Sequence, residues 1–165
     1  MSDLTQHIYS PNLISVCVND RCEGDIAGVI WDFYHEEPHP FGRAMELLRY
    51  ADELFDEMNF PQQGNRFRTF DGAEKLPRRR REVFHKDKVR TMENLEEKKG
   101  NLGTFIVQVK YRQNSTWQGQ VIWAEENKKV YFRSALELLR LIDDATAAGS
   151  AQEPDLGAEW EETEL

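Results

Sequence analysis

The sequence has few of the features that mark secreted, membrane-spanning or disulfide-bonded proteins. Its 165 residues include two cysteines, Cys17 and Cys22, which fit reduced cytoplasmic thiols better than a disulfide framework. No apolar run approaches the roughly 20 residues that a membrane span requires. The N-terminal residues 1–13 have neither the basic start nor the apolar core of a signal peptide. We therefore expect a cytoplasmic protein with no membrane partner.

The sequence also lacks the residue sets that most enzymes and metal proteins carry. It has no glycine-rich phosphate loop and no serine or cysteine nucleophile with a placed histidine. The string HEEPH, from His35 to His39, spells the zinc-protease motif. Pro38, however, is incompatible with the helix that must carry both imidazoles. We interpret the string as a polar loop and predict a non-enzymatic protein with no metal and no cofactor.

Charge is distributed unevenly along the chain. The formal net charge is −9, yet residues 146–165 hold six acidic residues and no basic one. Residues 59–103 hold twelve Lys and Arg against seven Asp and Glu, a local net charge of +5. The acidic total argues against a general nucleic-acid binder, whereas the basic middle leaves a local site open. We expect one globular domain over residues 1–148 and a disordered acidic tail over residues 149–165.

One helical sequence pattern occurs twice in the chain. Residues 41–53 read FGRAMELLRYADE and residues 132–144 read FRSALELLRLIDD, with seven identities at a fixed offset of 91 positions. Hydrophobic character at alternate positions persists when this offset is extended towards the N-terminus without a gap. The pattern predicts an internal duplication, with copy one over residues 13–58 and copy two over residues 104–148. The charged linker 59–103 separates the copies.

Each copy has the same predicted order of strand, strand, short strand and helix. In copy two, residues 105–111 alternate as a half-buried strand does. The turn 112–115 then leads into a second apolar run, which completes a hairpin. Residues 130–132 predict a short third strand. Ser134 and Glu137 form a capping box at the start of the helix that follows.

Copy one repeats this order, with one difference at the helix start and one shared glycine position. Arg43 occupies the position of the capping serine, so Gly42 is the predicted N-cap. Gly28 and Gly119 occupy one matched strand position, which indicates a bulge or a close backbone approach. One unit of about 45 residues is too small to bury an adequate core alone. We predict an α+β fold in which an antiparallel sheet carries both helices on one face.

The linker holds the densest positive charge in the chain. Its four consecutive arginines are Arg78, Arg79, Arg80 and Arg81. Such a run can hold phosphates, and Phe67, Phe70 and Phe84 lie near enough in sequence for base stacking. Interleaved acidic residues dilute this field, and an internal contact with the acidic tail is the alternative. The composition from 78 to 99 predicts an exposed charged helix.

The segment NSTWQG, residues 114–119, resembles the D/N-x-S/T-x-x-G motif of PilZ domains, which bind a cyclic dinucleotide. The resemblance implies a nucleotide site on the copy-two hairpin. The family also places an R-x-x-x-R pair upstream, and the nearest approximation here is Lys86 with Arg90. The resemblance covers six positions and departs from the family at that pair.

The copy-two hairpin is also more polar than its counterpart. It reads RQNSTWQGQ where copy one reads RCEGDIAGV. This asymmetry points to a binding site, unless these are only turn residues and strand-surface amides. The candidate residues are Arg112, Gln113, Asn114, Trp117, Gln118 and Gln120.

These observations together predict a non-enzymatic adaptor that docks a protein partner with the copy-two hairpin or with the linker. A second copy of the chain is an alternative partner. A nucleotide of the cyclic dinucleotide kind, or a nucleic acid, is the alternative ligand. Either would use the run 78–81 together with the hairpin 112–120.

Overall fold

The chain adopts the α+β class that its sequence predicts. The computed structural model describes residues 10–64, 67–72, 74–75 and 87–150, which form a six-stranded antiparallel sheet, a two-stranded ribbon and three helices. In chain order the elements are β1 (Ile14–Cys22), β2 (Asp25–Trp31), β3 (His39–Phe41), α1 (Ala44–Met58), β4 (Phe67–Arg68), β5 (Glu74–Lys75), α2 (Met92–Glu96), β6 (Gly103–Tyr111), β7 (Gln118–Trp123), β8 (Lys128–Phe132) and α3 (Ala135–Ser150).

The six-stranded sheet is built from two antiparallel hairpins that meet at its centre. The strand order is β3-β2-β1-β6-β7-β8, so β1 and β6 lie side by side although they are distant in sequence. They run antiparallel, with Ile14 opposite Val107 and Val18 opposite Gly103. Residues 14–18 of β1 are buried at every position, as expected of a short apolar strand covered on both faces.

One buried apolar cluster joins the sheet to the long helices. It includes Val16, Ile30 and Phe105 of the sheet, Phe55 of α1 and Ile142 of α3. α1 contacts β2 and β3, whereas α3 contacts β6 and β8. Burying one such side chain contributes about 1.5–3 kcal/mol, so this cluster is the main source of stability. No helix in the described part of the chain is long and apolar enough to cross a membrane.

Residues 87–102 pass over one face of the sheet at β1 and β2. Leu95 is fully buried there, and the Leu102 N–H donates to the Val18 carbonyl at 2.9 Å. The helix predicted over residues 78–99 is wrong for residues 87–91, and the described part of that span is helical only in α2. The Val89 N–H donates to the Phe33 carbonyl at 2.8 Å, which holds this backbone in a loop contact. Residues 76–86 lie outside the described residues.

The long helices begin one turn before their first buried apolar residues. The Glu137 N–H donates to Ser134 Oγ at 3.0 Å, which is one of the two hydrogen bonds of the predicted capping box. The N-cap of α1 is Arg43, so the assignment to Gly42 is wrong by one residue. The Gly42 N–H donates instead to Glu46 Oε2 at 2.6 Å, so a carboxylate of the first turn satisfies it. α3 runs to Ser150, and residues 151–165 of the predicted tail lie outside the described residues.

Gly28 and Gly119 are sites of close backbone approach. A Cβ at Gly28 would lie 1.9 Å from the Cys17 carbonyl oxygen, and one at Gly119 would lie 2.0 Å from the Gln108 carbonyl oxygen. Real side chains do not make contacts this short, and a strand carbonyl has little freedom to move. Glycine is therefore required at these two points of the hairpins.

Replacing either glycine by alanine should destabilise the fold. We expect Gly28→Ala and Gly119→Ala each to lower the free energy of unfolding by about 1–3 kcal/mol, because the backbone must shift to admit the methyl group. Gly42→Ala is the control, since its nearest neighbour would lie at 3.5 Å. Urea denaturation measures all three. Losses no larger than that of the control would contradict the predicted backbone clash.

Candidate functional site

Arg112 lies at the end of β6, where it forms a buried ion-pair cluster with α1. Its side chain is 2% exposed. Its Nη1 donates to Asp52 Oδ1 at 3.1 Å and to Asp56 Oδ1 at 2.7 Å, while its Nε donates to the Pro61 carbonyl at 2.7 Å. A buried guanidinium is tolerated only when it is paired in this way. Arg112 therefore fixes α1 and the segment after it against the hairpin.

Trp117, at the start of the second hairpin strand, joins the same cluster. Its Nε1 donates to Asp52 Oδ1 at 3.3 Å, and its ring meets Phe55 edge-on with centroids 5.6 Å apart. The indole is almost completely buried. The polar atoms of two predicted site residues, Arg112 and Trp117, are thus directed into the protein rather than towards a ligand.

The other predicted hairpin residues divide into turn and strand positions. Gln113 and Gln118 bond each other, since the Gln113 N–H donates to Gln118 Oε1 at 3.2 Å and Gln118 Nε2 donates to the Gln113 carbonyl at 3.0 Å. Asn114 is exposed in a left-handed turn conformation with φ of 56°. Gln120 Nε2 donates to Gln108 Oε1 at 2.7 Å on the neighbouring strand. The arginine run 78–81 lies outside the described residues.

A second arginine ion pair joins the first hairpin to α3. Arg21, near the end of β1, donates to Asp143 Oδ1 at 2.7 Å and to Thr146 Oγ1 at 2.9 Å. The side chain of Arg21 is 20% exposed, so water screens this pair more than the Arg112 cluster. Each hairpin is thereby fastened to one long helix by an arginine.

An open cleft lies beside each of these ion pairs. The first, the Trp117 cleft, has a volume of about 360 Å³. It is lined by Met45, Leu48, Arg49, Asp52, Gln63, Ser115, Thr116, Trp117 and Ala135. The second, the Ile26 cleft, has a volume of about 210 Å³ and is lined by Gly24, Asp25, Ile26, Ala44, Leu139, Arg140 and Asp143.

The Trp117 cleft has rigid walls. The Thr116 hydroxyl accepts a hydrogen bond from the Ala135 N–H at 2.8 Å, which ties the turn to the start of α3. On the opposite side, the Gly64 N–H donates to the Arg112 carbonyl at 3.1 Å. Gln63 Oε1 is buried in this wall without a hydrogen-bond partner among the described residues. The cleft therefore combines apolar surface with polar groups that hydrogen bonds hold in place, a combination found in binding sites.

The described member of the upstream pair implied by the PilZ resemblance, Arg90, is engaged within the protein. The Arg90 guanidinium donates to the carbonyls of Asp32 and His35 at 2.6 and 3.0 Å and to that of Glu36 at 2.9 Å. The central carbon of the Arg90 guanidinium also lies 4.7 Å from the centre of the Trp31 ring. Arg90 thus clamps the loop after β2, and Lys86 lies outside the described residues.

A polar cluster around Asp32, which the sequence analysis missed, organises the loop 32–38. Asp32 Oδ1 accepts from the N–H groups of Tyr34 and His35 at 2.7 and 2.8 Å, and Oδ2 accepts from the Tyr50 hydroxyl at 2.8 Å. His35 Nδ1 lies 2.9 Å from Oδ2. His39 stacks on Tyr50 with centroids 3.9 Å apart. An aspartate directly after a strand is a known turn signal, and that signal was available in the sequence.

The Asp32 hydrogen bonds also determine its ionisation. Burial alone would raise the pKa of the Asp32 carboxyl, but the bonds from Tyr34, His35 and Tyr50 outweigh it and hold that pKa below its ordinary value. Burial and the neighbouring carboxylate raise the pKa of Tyr50. The cluster keeps a charged aspartate beside an oriented imidazole. Within the described residues no three His, Cys, Asp or Glu side chains form a group that could hold a metal ion.

Comparisons of the chain with protein families, with curated proteins and with solved structures found no match.

The two arginine ion pairs should differ in strength because they differ in burial. We expect the double variant Asp52→Asn, Asp56→Asn to lose about 3 kcal/mol of unfolding free energy, because Arg112 then lacks a carboxylate partner among the described residues. Asp143→Asn, the control at the more exposed pair, should lose about 1 kcal/mol or less. Urea denaturation compares them. Equal losses would show that water screens both pairs alike.

The stabilisation that Asp32 contributes should depend on pH. Because its pKa is lower in the folded chain than in the unfolded one, the ionised Asp32 stabilises the fold above about pH 4, and this stabilisation is lost as the pH falls below that value. The stability difference between the wild type and Asp32→Asn should therefore be largest near pH 7 and narrow below pH 4. Thermal unfolding at a series of pH values measures it, with Asp87→Asn as the exposed control. A difference independent of pH would contradict this account.

Proposed function

We propose that the protein is a non-enzymatic binding protein that docks a protein partner in the Trp117 cleft. The observation that carries the proposal is Met45, which is 62% exposed at the mouth of the cleft although it belongs to a regular, well-packed helix. Half-buried Leu48 and Ala135 continue the apolar surface inwards. An apolar centre with a polar rim is the usual composition of protein interfaces.

The polar groups of the cleft support a partner rather than a small substrate. Arg49 and Asp52 flank the apolar centre with opposite charges. Rim charges of both signs favour specificity and orientation on a protein surface. The floor is held by the Arg112 ion pairs, so the surface is preformed and loses little conformational entropy on binding.

We also infer that the two halves of the chain are copies of one β-β-β-α unit. The reciprocal ion pairs support this inference: Arg21 and Arg112 stand 91 positions apart, and so do their partners Asp143 and Asp52. The arginine of each copy thus meets the aspartate of the other. Such a relation is expected of two like units facing each other about a local two-fold axis.

Backbone irregularities recur at the same offset. β1 is bulged after Val18 and β6 after Val109. The left-handed turn residues Glu23 and Asn114 are separated by the same 91 positions. At the centre of the sheet Ser15 pairs with Ile106, the residue that lies 91 positions after it in the sequence. An experimental structure in which residues 13–58 and 104–148 did not superpose at this offset would contradict the inference.

The two clefts support the placement of both long helices on one face of the sheet. Each cleft is lined by residues of both helices: Leu48 and Ala135 line one, Ala44 and Leu139 the other. Met45 and Leu136 are exposed at matched positions beside them. The Ile26 cleft lacks the tryptophan and the hydroxyls that line the Trp117 cleft, so we assign partner binding to the Trp117 cleft.

Two alternative binding partners were predicted from the sequence, namely a nucleotide or nucleic acid and a second copy of the chain. A nucleotide or nucleic acid held by Arg78–Arg81 and the hairpin 112–120 remains a prediction, and no contact among the described residues favours it. A second copy of the chain docked in the Trp117 cleft is the homodimer form of the proposal. The experiment below distinguishes that form from a different protein partner.

A photo-crosslinking amino acid at position 45 tests the proposed docking site, with position 136 as the matched control. In cells that naturally make the protein, we expect a defined crosslinked species from position 45 and none from position 136. Mass spectrometry identifies the species, and a product of twice the chain mass would indicate the homodimer. Equal products from both positions would contradict the choice of cleft.

The partner found in this way should then bind the purified variants differently. Met45→Glu should weaken binding by about tenfold or more, as expected when a central apolar contact is replaced by a charge. Leu136→Glu should leave the dissociation constant unchanged. Both side chains are exposed, so circular dichroism should report a folded chain in each case. Unchanged binding by Met45→Glu would overturn the proposal.

A further inference from the structure

One end of the sheet carries an exposed aromatic and basic surface away from the Trp117 cleft. We name it the Tyr131 face, and it consists of the exposed Lys110, Tyr111, Lys129 and Tyr131 together with the half-buried Gln108 and the buried Gln120. Gln108 pairs with Gln120, which pairs with Tyr131, so these three lie side by side across three strands on one face. Tyr111 pairs with Gln118, two residues from Gln120, and therefore joins the same face.

Two large aromatic rings are open to solvent on this face. Tyr131 is 60% exposed and Tyr111 is 58% exposed, and both lie within strands of the sheet. They flank β7 from either side, and their positions in the register place them roughly 12 Å apart. Aromatic rings presented by a sheet at this separation can each stack on a different base of one strand of nucleic acid.

Positive charge accompanies the rings. The ammonium groups of Lys110 and Lys129 each lie 5.4 Å from the centre of the Tyr131 ring. Strands β6 to β8 together carry three basic residues, Lys110, Lys128 and Lys129, and no acidic residue. In a chain of net charge −9 this is a local reversal of sign. The nearest acidic residues in sequence, Glu125 and Glu126, are confined to the turn before β8.

The amides add hydrogen-bonding capacity beside the rings. Gln108 accepts through Oε1 from Gln120, which leaves its own amide N–H donors for a ligand. On the same face of the other half, the aromatic ring is Trp31, which is half-buried under Arg90 and Lys98. Among the described strands, aromatic rings that are open to solvent on this face are therefore restricted to the β6–β8 end.

We propose that the Tyr131 face binds single-stranded nucleic acid, with bases stacked on Tyr131 and Tyr111 and phosphates beside Lys110 and Lys129. The charge of the face is complementary to a phosphate backbone, and its rings fit bases rather than the carboxylates of an acidic peptide. Binding of this kind depends little on sequence, because every base has a stacking face. It is a second activity, on a different surface from the proposed protein-docking cleft.

Fluorescence anisotropy with a short labelled oligoadenylate tests the proposal on the full-length chain. We expect Tyr131→Ala to weaken binding by about tenfold and Tyr131→Phe to preserve it, because the ring rather than the hydroxyl stacks. Lys110→Gln with Lys129→Gln should weaken binding and lower the salt dependence by about 0.7 per lost phosphate contact. Lys98→Gln, which removes a lysine stacked on Trp31, is the control and should bind as the wild type does.

Several outcomes would overturn the proposal. Absence of oligoadenylate binding by the wild-type chain is one, and equal affinity of the wild type and Tyr131→Ala is another. Full competition by oligoglutamate at equal charge concentration would identify the face as a surface for acidic proteins instead. Met45→Glu should bind oligoadenylate normally, so failure of this site and failure of the docking cleft are read separately.

Discussion

The position of the second hairpin relative to α1, and with it the Trp117 cleft, depends on the buried ion pair between Arg112 and α1. Burial removes the hydration of Arg112, and among the described residues the carboxylates of Asp52 and Asp56 and the Pro61 carbonyl replace it. The hairpin, the helix and the segment after it must therefore keep one relative position. Trp117 shares the Asp52 carboxylate, so the core under the cleft and the cleft itself are ordered by the same charge.

The pairing of β1 with β6 sets a second constraint, because it joins segments that lie far apart in the chain. The two local hairpins can form early, whereas their junction requires closure of the long connection that contains α1 and α2. Part of that connection is then used structurally. Residues 87–102 lie over β1 and β2, where Leu95 is buried and Arg90 and Lys98 flank Trp31. The linker is thus a component of the core rather than only a tether.

Local features of the fold could be read from the sequence, and long-range ones could not. Alternation predicted both hairpins, Ser134 predicted the start of α3, and Gly28 and Gly119 predicted close backbone approach, because each depends on neighbours in sequence or on one backbone position. The burial of Arg112 and Trp117 depends on Asp52, which is about sixty residues away. The residue types of Arg112 and Trp117 do not indicate that partner, so the polar side chains of this hairpin were interpreted as ligand-binding groups. Similarly, the chain before α2 is not helical where Val89 bonds to Phe33, a contact that no periodicity encodes.

The sheet face that carries Trp31 and Tyr131 differs between the two ends of the sheet. At the β1–β2 end, residues 87–102 lie over this face, where Arg90 and Lys98 contact Trp31. The buried part of the face continues to Ile106 and Ile122, and Ile106 lines a cavity with Glu93 of the same segment. The part around Tyr131 carries lysines and tyrosines with exposed rings, which are stable in water. Solubility alone would need only the lysines and glutamines. Two open tyrosine rings flanked by lysines exceed that requirement, and this excess is the physical argument for a ligand on that face.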